Sequence, residues 1–270
     1  MRHIYYNYEE WKKELRPCDI IFFTGKGIKA TCLDIFQENH LNIKSSWVHV
    51  GIVCPKYFFE FKNKKDEETY IIESMLAGMS SIKEVENNEM ENGLQIRNLK
   101  DVVEYELSNG ASIACFRLKD SPFKFTVNEE SELDKKDLID YVYENKYRRR
   151  IEYFWKNHSL TSYNCNCGRS IGLGIPFLRS KKRRRLFCSE TIVRFYQGLG
   201  FIDLEVDPEK VTPGELGKWC GDIIGDTPFN AEPYYLLRKP ELNRQKSFKK
   251  RWWICGAICI SNIILMMGSS

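Results

Sequence analysis

The sequence predicts an α+β domain followed by an apolar C-terminal helix. Three observations lead there. Short apolar runs bounded by turn residues recur through the chain, and segments with helical apolar spacing are interleaved among them without a βαβ rhythm. The third observation is the run from Trp252 to Gly268, which carries no charge and follows Lys249, Lys250 and Arg251 directly. The expected organisation is a domain over residues 15–240 and a hydrophobic tail over residues 252–268.

Ile20-Ile21-Phe22-Phe23, between Pro17 and the Gly25-Lys26-Gly27 turn, reads as a buried strand with Asp19 at its mouth. Lys29 to Gln37 reads as a helix. Val48 to Val53 is a second strand, whose alternation puts His49 on one face with Gly51 and Val53. Tyr70 to Ser74 is a third strand and Ile113 to Leu118 a fourth. Glu60–Glu68 and Glu84–Asn92 are charged or polar and read as loops. Leu133 to Trp155 has helical spacing through Leu138, Ile139, Val142 and Tyr143, and Ser162 to Arg185 is irregular and basic. Cys188 to Leu199 is a helix with Ile192, Tyr196 and Leu199 on one face and Gly200 as its stop. Thr212-Pro213-Gly214-Glu215 is a capping pattern that opens another helix, and Tyr234 to Leu237 is extended.

The chain has 270 residues, with 43% apolar and 29% charged residues and a formal net charge of +4. That is ordinary globular composition, and the charge is too small to argue for nucleic acid. A domain of this size buries enough core to fold without staples. Its ten cysteines show no regular framework, so reduced thiols and a cytosolic-facing compartment are expected. The N-terminus carries Glu9, Glu10, Lys12, Lys13 and Glu14 and has no apolar core of a secretory signal. The tail is close to the minimum length for a membrane span, with Trp252 and Trp253 suited to the interfacial belt and the basic triplet to the cytosolic side. A single-pass C-terminal anchor is therefore expected, against the alternative of a terminal helix docked on the domain.

The candidate chemistry centres on Cys188. A thiol attacks as thiolate, and a helix N-terminus and a neighbouring imidazolium both favour that form. Cys188 stands where its helix begins. His49 sits on a strand, a rigid place for a base, with Trp47 two residues away. Glu73 lies beside His49 if the second and third strands pair antiparallel, and would orient the imidazole. Cys165 and Cys167 with His158 suggest zinc, but no second close-spaced Cys or His pair accompanies them, so no metal or cofactor is expected.

Pro17-Cys18-Asp19-Ile20-Ile21-Phe22-Phe23, then Trp47-Val48-His49-Val50-Gly51-Ile52-Val53, then Ile71-Ile72-Glu73-Ser74, then Phe187-Cys188-Ser189-Glu190-Thr191 together resemble the circularly permuted branch of the NlpC-type papain-like superfamily, the YiiX-like proteins and their poxviral relatives. In that branch the His strand precedes the Cys helix. The resemblance implies an antiparallel sheet carrying His49 and Glu73, packed on the helix carrying Cys188. It implies Cys188 as nucleophile, His49 as base and Glu73 as third member. It also matches Asp19 to the acidic position before the first strand, where Cys18 replaces the more usual Gly. The implied activity is hydrolysis or transfer at an amide, ester or thioester carbonyl, with an acylated or lipid-linked substrate. Asp19, Trp47 and the basic loop Lys181, Lys182, Arg183, Arg184 and Arg185 are the expected substrate-binding residues, the loop suiting anionic head groups. Two rivals stand beside this: a scaffold that keeps the fold without catalysis, and a true peptidase.

Overall fold

The computed structural model of the protein describes residues 3–25, 45–54, 68–75, 82–85, 93–117, 146–158, 162–163, 185–221 and 233–237. The chain divides after Arg238, and everything beyond it lies outside the described residues. The expected helix over residues 29–37, most of the expected helix over 133–155, Cys165, Cys167, the bases at 181–184 and the tail over 252–268 also lie outside them.

The described elements, in chain order, are β1 (His3–Tyr5), α1 (Tyr8–Lys12), β2 (Ile20–Thr24), β3 (Trp47–Val53), β4 (Tyr70–Met75), β5 (Gly93–Asn98), α2 (Leu99–Ser108), β6 (Ile113–Phe116), α3 (Lys146–His158), β7 (Ser162–Tyr163), β8 (Arg185–Leu186), α4 (Cys188–Leu199), a 3₁₀ turn (Pro208–Lys210), α5 (Pro213–Gly221) and β9 (Tyr234–Leu236). Among the described residues, seven strands form one sheet in the order β1-β9-β6-β2-β3-β4-β5, and β7 pairs with β8 separately. The fold is α+β. The sheet corrects the expected all-antiparallel arrangement. Its central ladders are antiparallel, but β1 pairs parallel with β9, His3 opposite Tyr234, so the sheet is mixed. β1 is a three-residue edge segment ahead of α1, and its sequence carried no strand signal long enough to read.

Both faces of the sheet are covered, which is why β2 and β4 are apolar on both sides. On one face Ile20, Phe22, Val50, Ile52 and Ile72 pack with Ile192, Phe195, Tyr196 and Leu199 of α4, Ile151 and Phe154 of α3 and Leu216 of α5. On the other, Ile21, Phe23, Val53, Ile71 and Ile113 pack with Trp11 and Leu15 near α1 and with Leu99, Val102 and Val103 of α2. Each of these large apolar side chains contributes about 1.5–3 kcal/mol on burial.

The helix ends follow local chemistry. Asn7 caps α1 and Asn98 caps α2, each accepting a backbone N–H of the first turn. Thr212 and Glu215 exchange side-chain bonds to each other's backbone N–H at the start of α5, the reciprocal arrangement that their spacing predicts. At the start of α4 the Glu190 carboxylate accepts from the Phe187 N–H, and Gly200 ends the helix at φ 84°. Leu99, Val102 and Val103 follow a 3–4 spacing, and Leu94 and Ile96 alternate with Gln95 and Arg97. β5 and α2 were therefore readable, although no strand or helix was assigned there from the sequence.

Two glycines permit close approach around the functional strands. A Cβ on Gly51 would stand 2.5 Å from Ile71 Cδ1 and 3.1 Å from the Ile72 carbonyl oxygen. A Cβ on Gly217 would drive into the Trp47 ring. Gly51 thus brings β3 and β4 together, and Gly217 lets α5 settle on Trp47. Cys18 adopts φ 67°, the left-handed region that an unbranched L side chain enters at a cost of about 1–2 kcal/mol.

Candidate active site

The site forms where β3 and β4 part. Their ladder pairs Gly51 with Glu73, Ile52 with Ile72 and Val53 with Ile71. His49 stands two residues beyond the last pair and is therefore a diagonal neighbour of Glu73, a separation that long side chains bridge. The pairing of β3 with β2 shifts register between Phe23 and Thr24, with Phe23 opposite His49 and Thr24 opposite Trp47. Period-2 alternation alone would put Trp47 and His49 on the same face. Across the shift, Trp47 instead lies against Phe22 at 5.5 Å between ring centroids, while His49 lies against Phe23 at 5.7 Å. Such irregularities re-aim a side chain, here the Trp47 indole.

His49 Nε2 lies 2.5 Å from Glu73 Oε2. The Cys188 sulfur stands close enough to the same imidazole to favour its protonated form. With Nε2 engaged by Glu73, Nδ1 is the nitrogen left for Cys188. The expected group of Cys188, His49 and Glu73 is thus brought together from three elements far apart in sequence. It is enclosed: Cys188 is 5% exposed, the His49 side chain 16% and Glu73 0%.

Cys188 is held there by its helix. Ile192, Tyr196 and Leu199 bury one face of α4, Ser189 Oγ donates to the Val211 carbonyl, and Thr191 Oγ1 donates to the Phe187 carbonyl. The Tyr196 hydroxyl donates to the Cys18 carbonyl, tying α4 to the turn that opens β2. The helix N-terminus therefore meets β3 at a fixed height, with its partial positive charge at the sulfur.

One member of the group was not found from the sequence. Arg97, on β5, donates from Nε to Glu73 Oε1 at 2.6 Å, and its Nη2 is ion-paired with the same oxygen. Its other donors reach the Ile82 carbonyl and Met75 Sδ. The available signal was the polar alternation of Gln95 and Arg97 in an otherwise apolar strand.

The charges follow from these contacts. Burial alone would disfavour protonated His49, but the Cys188 sulfur and then Glu73 outweigh it and push the imidazole pKa up from 6.5 to about 10. Burial likewise works against ionised Glu73, but the Arg97 charge, followed by His49, pulls its carboxyl down to about 2. The two effects on stability run in opposite directions with pH. The imidazolium's contribution is complete below about pH 6.5 and fades as pH rises through about 10. The carboxylate's contribution is complete above about 4.5 and is lost as pH falls through about 2.

The expected binding residues fare differently. Trp47 packs in the same apolar layer as Cys188. Asp19 is fully buried and is not brought to the group. Its carbonyl accepts from Val53 N, at the far end of β3 from His49. Its Oδ2 accepts from Arg16 N at 2.9 Å and from the Cys115 thiol at 3.5 Å, and is ion-paired with Arg117 at 3.6 Å. Burial raises its pKa to about 6 despite Arg117. Wholly enclosed, this carboxylate ties down the start of β2. Arg185 begins β8, whose partner β7 starts at Ser162. Among the described residues no group of three His, Cys, Asp or Glu side chains is placed to hold a metal ion.

No protein-family model matches the chain, and no curated protein matches it.

Replacing Glu73 with Gln keeps the shape and removes one of the charges that favour the imidazolium. The expected result is a fall of at least about one unit in the pH at which His49 gives up its proton, followed by NMR of the ring. An unchanged midpoint would show that Glu73 does not govern His49.

Proposed function

We propose that the chain is a cysteine-dependent hydrolase or acyltransferase of permuted papain-like fold, acting through a Cys188 acyl-enzyme on an acylated or lipid-linked substrate. The observation that carries this is the two-sided contact at His49. One ring nitrogen serves the thiol at a helix N-terminus, and the other lies 2.5 Å from a buried, ionised carboxylate. A histidine in the core needs one satisfying partner. A histidine held between a thiol and a carboxylate has the arrangement that activates a nucleophile. The chain order supports the permuted reading, because the His strand β3 and the Glu strand β4 both precede the Cys helix α4.

The steps follow from the geometry. The Cys188 thiolate attacks the carbonyl carbon, and the carbonyl oxygen takes the negative charge. The Cys188 backbone N–H at the start of α4 is the proposed donor to that oxygen. As the intermediate collapses, the bond to the leaving amine, alcohol or thiol breaks and His49 gives it a proton. This leaves a thioester on Cys188. Water, or an acceptor amine or alcohol, then attacks the thioester while His49 takes its proton, and the thiolate is released. Glu73 holds the ring throughout without itself receiving the proton.

The acylated substrate is argued from the tail and the basic loop. The uncharged run over residues 252–268 behind Lys249, Lys250 and Arg251 is proposed as a membrane anchor with the domain facing the cytosol. The loop from Lys181 to Arg185, close before Cys188 in sequence, carries five consecutive bases suited to anionic head groups. Among the described residues no helix is long and apolar enough to cross a membrane, and the tail lies outside them.

Incubation with thioester, ester and amide acyl donors, followed by intact and peptide mass spectrometry, tests the chemistry. An acyl mass added at Cys188 and absent from Cys188→Ala is expected. A folded wild-type protein that takes no acyl group from any donor class would favour the non-catalytic scaffold. Carbonate extraction of the full-length protein from membranes tests the anchor. The protein is expected to stay with the membrane pellet, and release into the soluble fraction would favour a docked terminal helix.

A further inference from the structure

We propose that Arg97 is a positioning residue of this site, fixing the Glu73 carboxylate so that one oxygen is committed to the protein and the other to His49. This rests on the catalytic reading of Cys188 and adds a fourth residue to the three that the sequence motifs supplied. Glu73 is completely buried and Arg97 is 2% exposed, so neither charge can turn to water. The division of labour is visible atom by atom. Oε1 receives Arg97 Nε at 2.6 Å and faces Nη2, while Oε2 faces His49 Nε2 at 2.5 Å. A carboxylate with a single partner can rotate about its terminal torsion. One clamped at Oε1 by a planar guanidinium cannot, and Arg97 is itself held by the Ile82 carbonyl and Met75 Sδ.

The electrostatic arrangement agrees. His49, Glu73 and Arg97, drawn from β3, β4 and β5, form an alternating series of positive and negative groups beside Cys188 of α4. After the opposing cost of burial, the Arg97 charge is the largest influence on the Glu73 carboxyl and holds it well below the usual carboxylate range. Glu106 of α2 is the other acid whose charge reaches this group, acting on His49, Glu73 and Arg97 together. A buried carboxylate beside a second acid has reason to protonate, and Arg97 is the cation that prevents it. Without that cation Glu73 would take up a proton as pH falls, and the imidazole would lose its orienting charge.

The test separates charge from shape. Arg97→Met removes the charge in a buried, unbranched side chain, and Arg97→Lys keeps the charge but loses the fork. Carboxyl-carbon NMR of Glu73 and the pH dependence of Cys188 alkylation by iodoacetamide are read on each folded variant, with folding checked by circular dichroism. In the wild type, Glu73 stays ionised down to about pH 4. In Arg97→Met it should titrate above that, and the acid limb of Cys188 alkylation should move up by about one pH unit, a roughly tenfold slower reaction at the foot of the limb. Arg97→Lys should restore the acid limb but leave the plateau rate several-fold lower, because the fork and its anchors are gone. A folded Arg97→Met protein with wild-type limb and ionised Glu73 would overturn the proposal. Should Arg97→Met not fold, Arg97→Lys decides: wild-type limb and wild-type plateau together would show that the fork positions nothing. Wild-type Cys188 inert to iodoacetamide at every pH would sink the catalytic reading instead, while the Glu73 titration would still report what Arg97 does.

Discussion

A single buried carboxylate, Glu73, joins the fold of this protein to its chemistry. It stands on a strand in the sheet, shares its two oxygens between Arg97 and His49, and has no exposure through which water could replace either partner. Removing one partner of a buried ion pair typically costs about 3–5 kcal/mol, a large share of the roughly 5–15 kcal/mol by which a domain is stable. By contrast Lys100 and Glu9, 3.4 Å apart but half exposed or more, contribute at most about 1 kcal/mol. Such a group in a sheet interior is expensive to keep. A function for the imidazole it orients is the simplest physical reason to keep it.

Everything around Glu73 serves to bring a thiol to the imidazole it orients. Gly51 lets β3 and β4 approach closely, and the register shift between Phe23 and Thr24 turns Trp47 into the helix layer that holds Cys188. The helix layer then fixes the sulfur. Tyr196, fully buried, donates across to the carbonyl of Cys18, so the start of β2 and the helix behind Cys188 are locked to one another. The left-handed backbone at Cys18 is a local strain that these contacts outweigh. Asp19, next to it, performs a parallel task on the opposite face with Arg16, Cys115 and Arg117. Two buried carboxylates thus stand near opposite ends of β3, and one of them pairs with the candidate base.

The parts legible in the sequence are those that short-range chemistry controls. The helix from Cys188 to Leu199 was set by apolar spacing and by Gly200, and its observed bounds agree. The strands holding His49 and Glu73 were marked by compact apolar runs, and they pair antiparallel, the condition under which Glu73 reaches His49. Arg97 was harder to see. Its strand has no turn signal at its C-terminal end, because Asn98 at once caps α2, so strand and helix run together as one mixed segment. The burial of Asp19 was hidden for a different reason. An acid at a strand mouth looks exposed, and only the tertiary fold encloses it and pairs it with Arg117. The parallel contact of β1 with β9 joins residues more than two hundred positions apart, and no local pattern encodes it.

The central claim is that Cys188 differs chemically from the other buried cysteines, because His49 and Glu73 stand behind it. Among the described residues Cys18, Cys54, Cys115 and Cys220 are also buried, and burial pushes the Cys115 and Cys220 thiols well above their ordinary range. Native protein treated with limiting iodoacetamide near neutral pH, then digested and mapped by mass spectrometry, compares these five thiols in one sample. Modification of Cys188 ahead of the other four, and its slowing by tenfold or more in His49→Ala, is the predicted result. Equal labelling of all five, or a rate at Cys188 that His49→Ala leaves unchanged, would contradict the account.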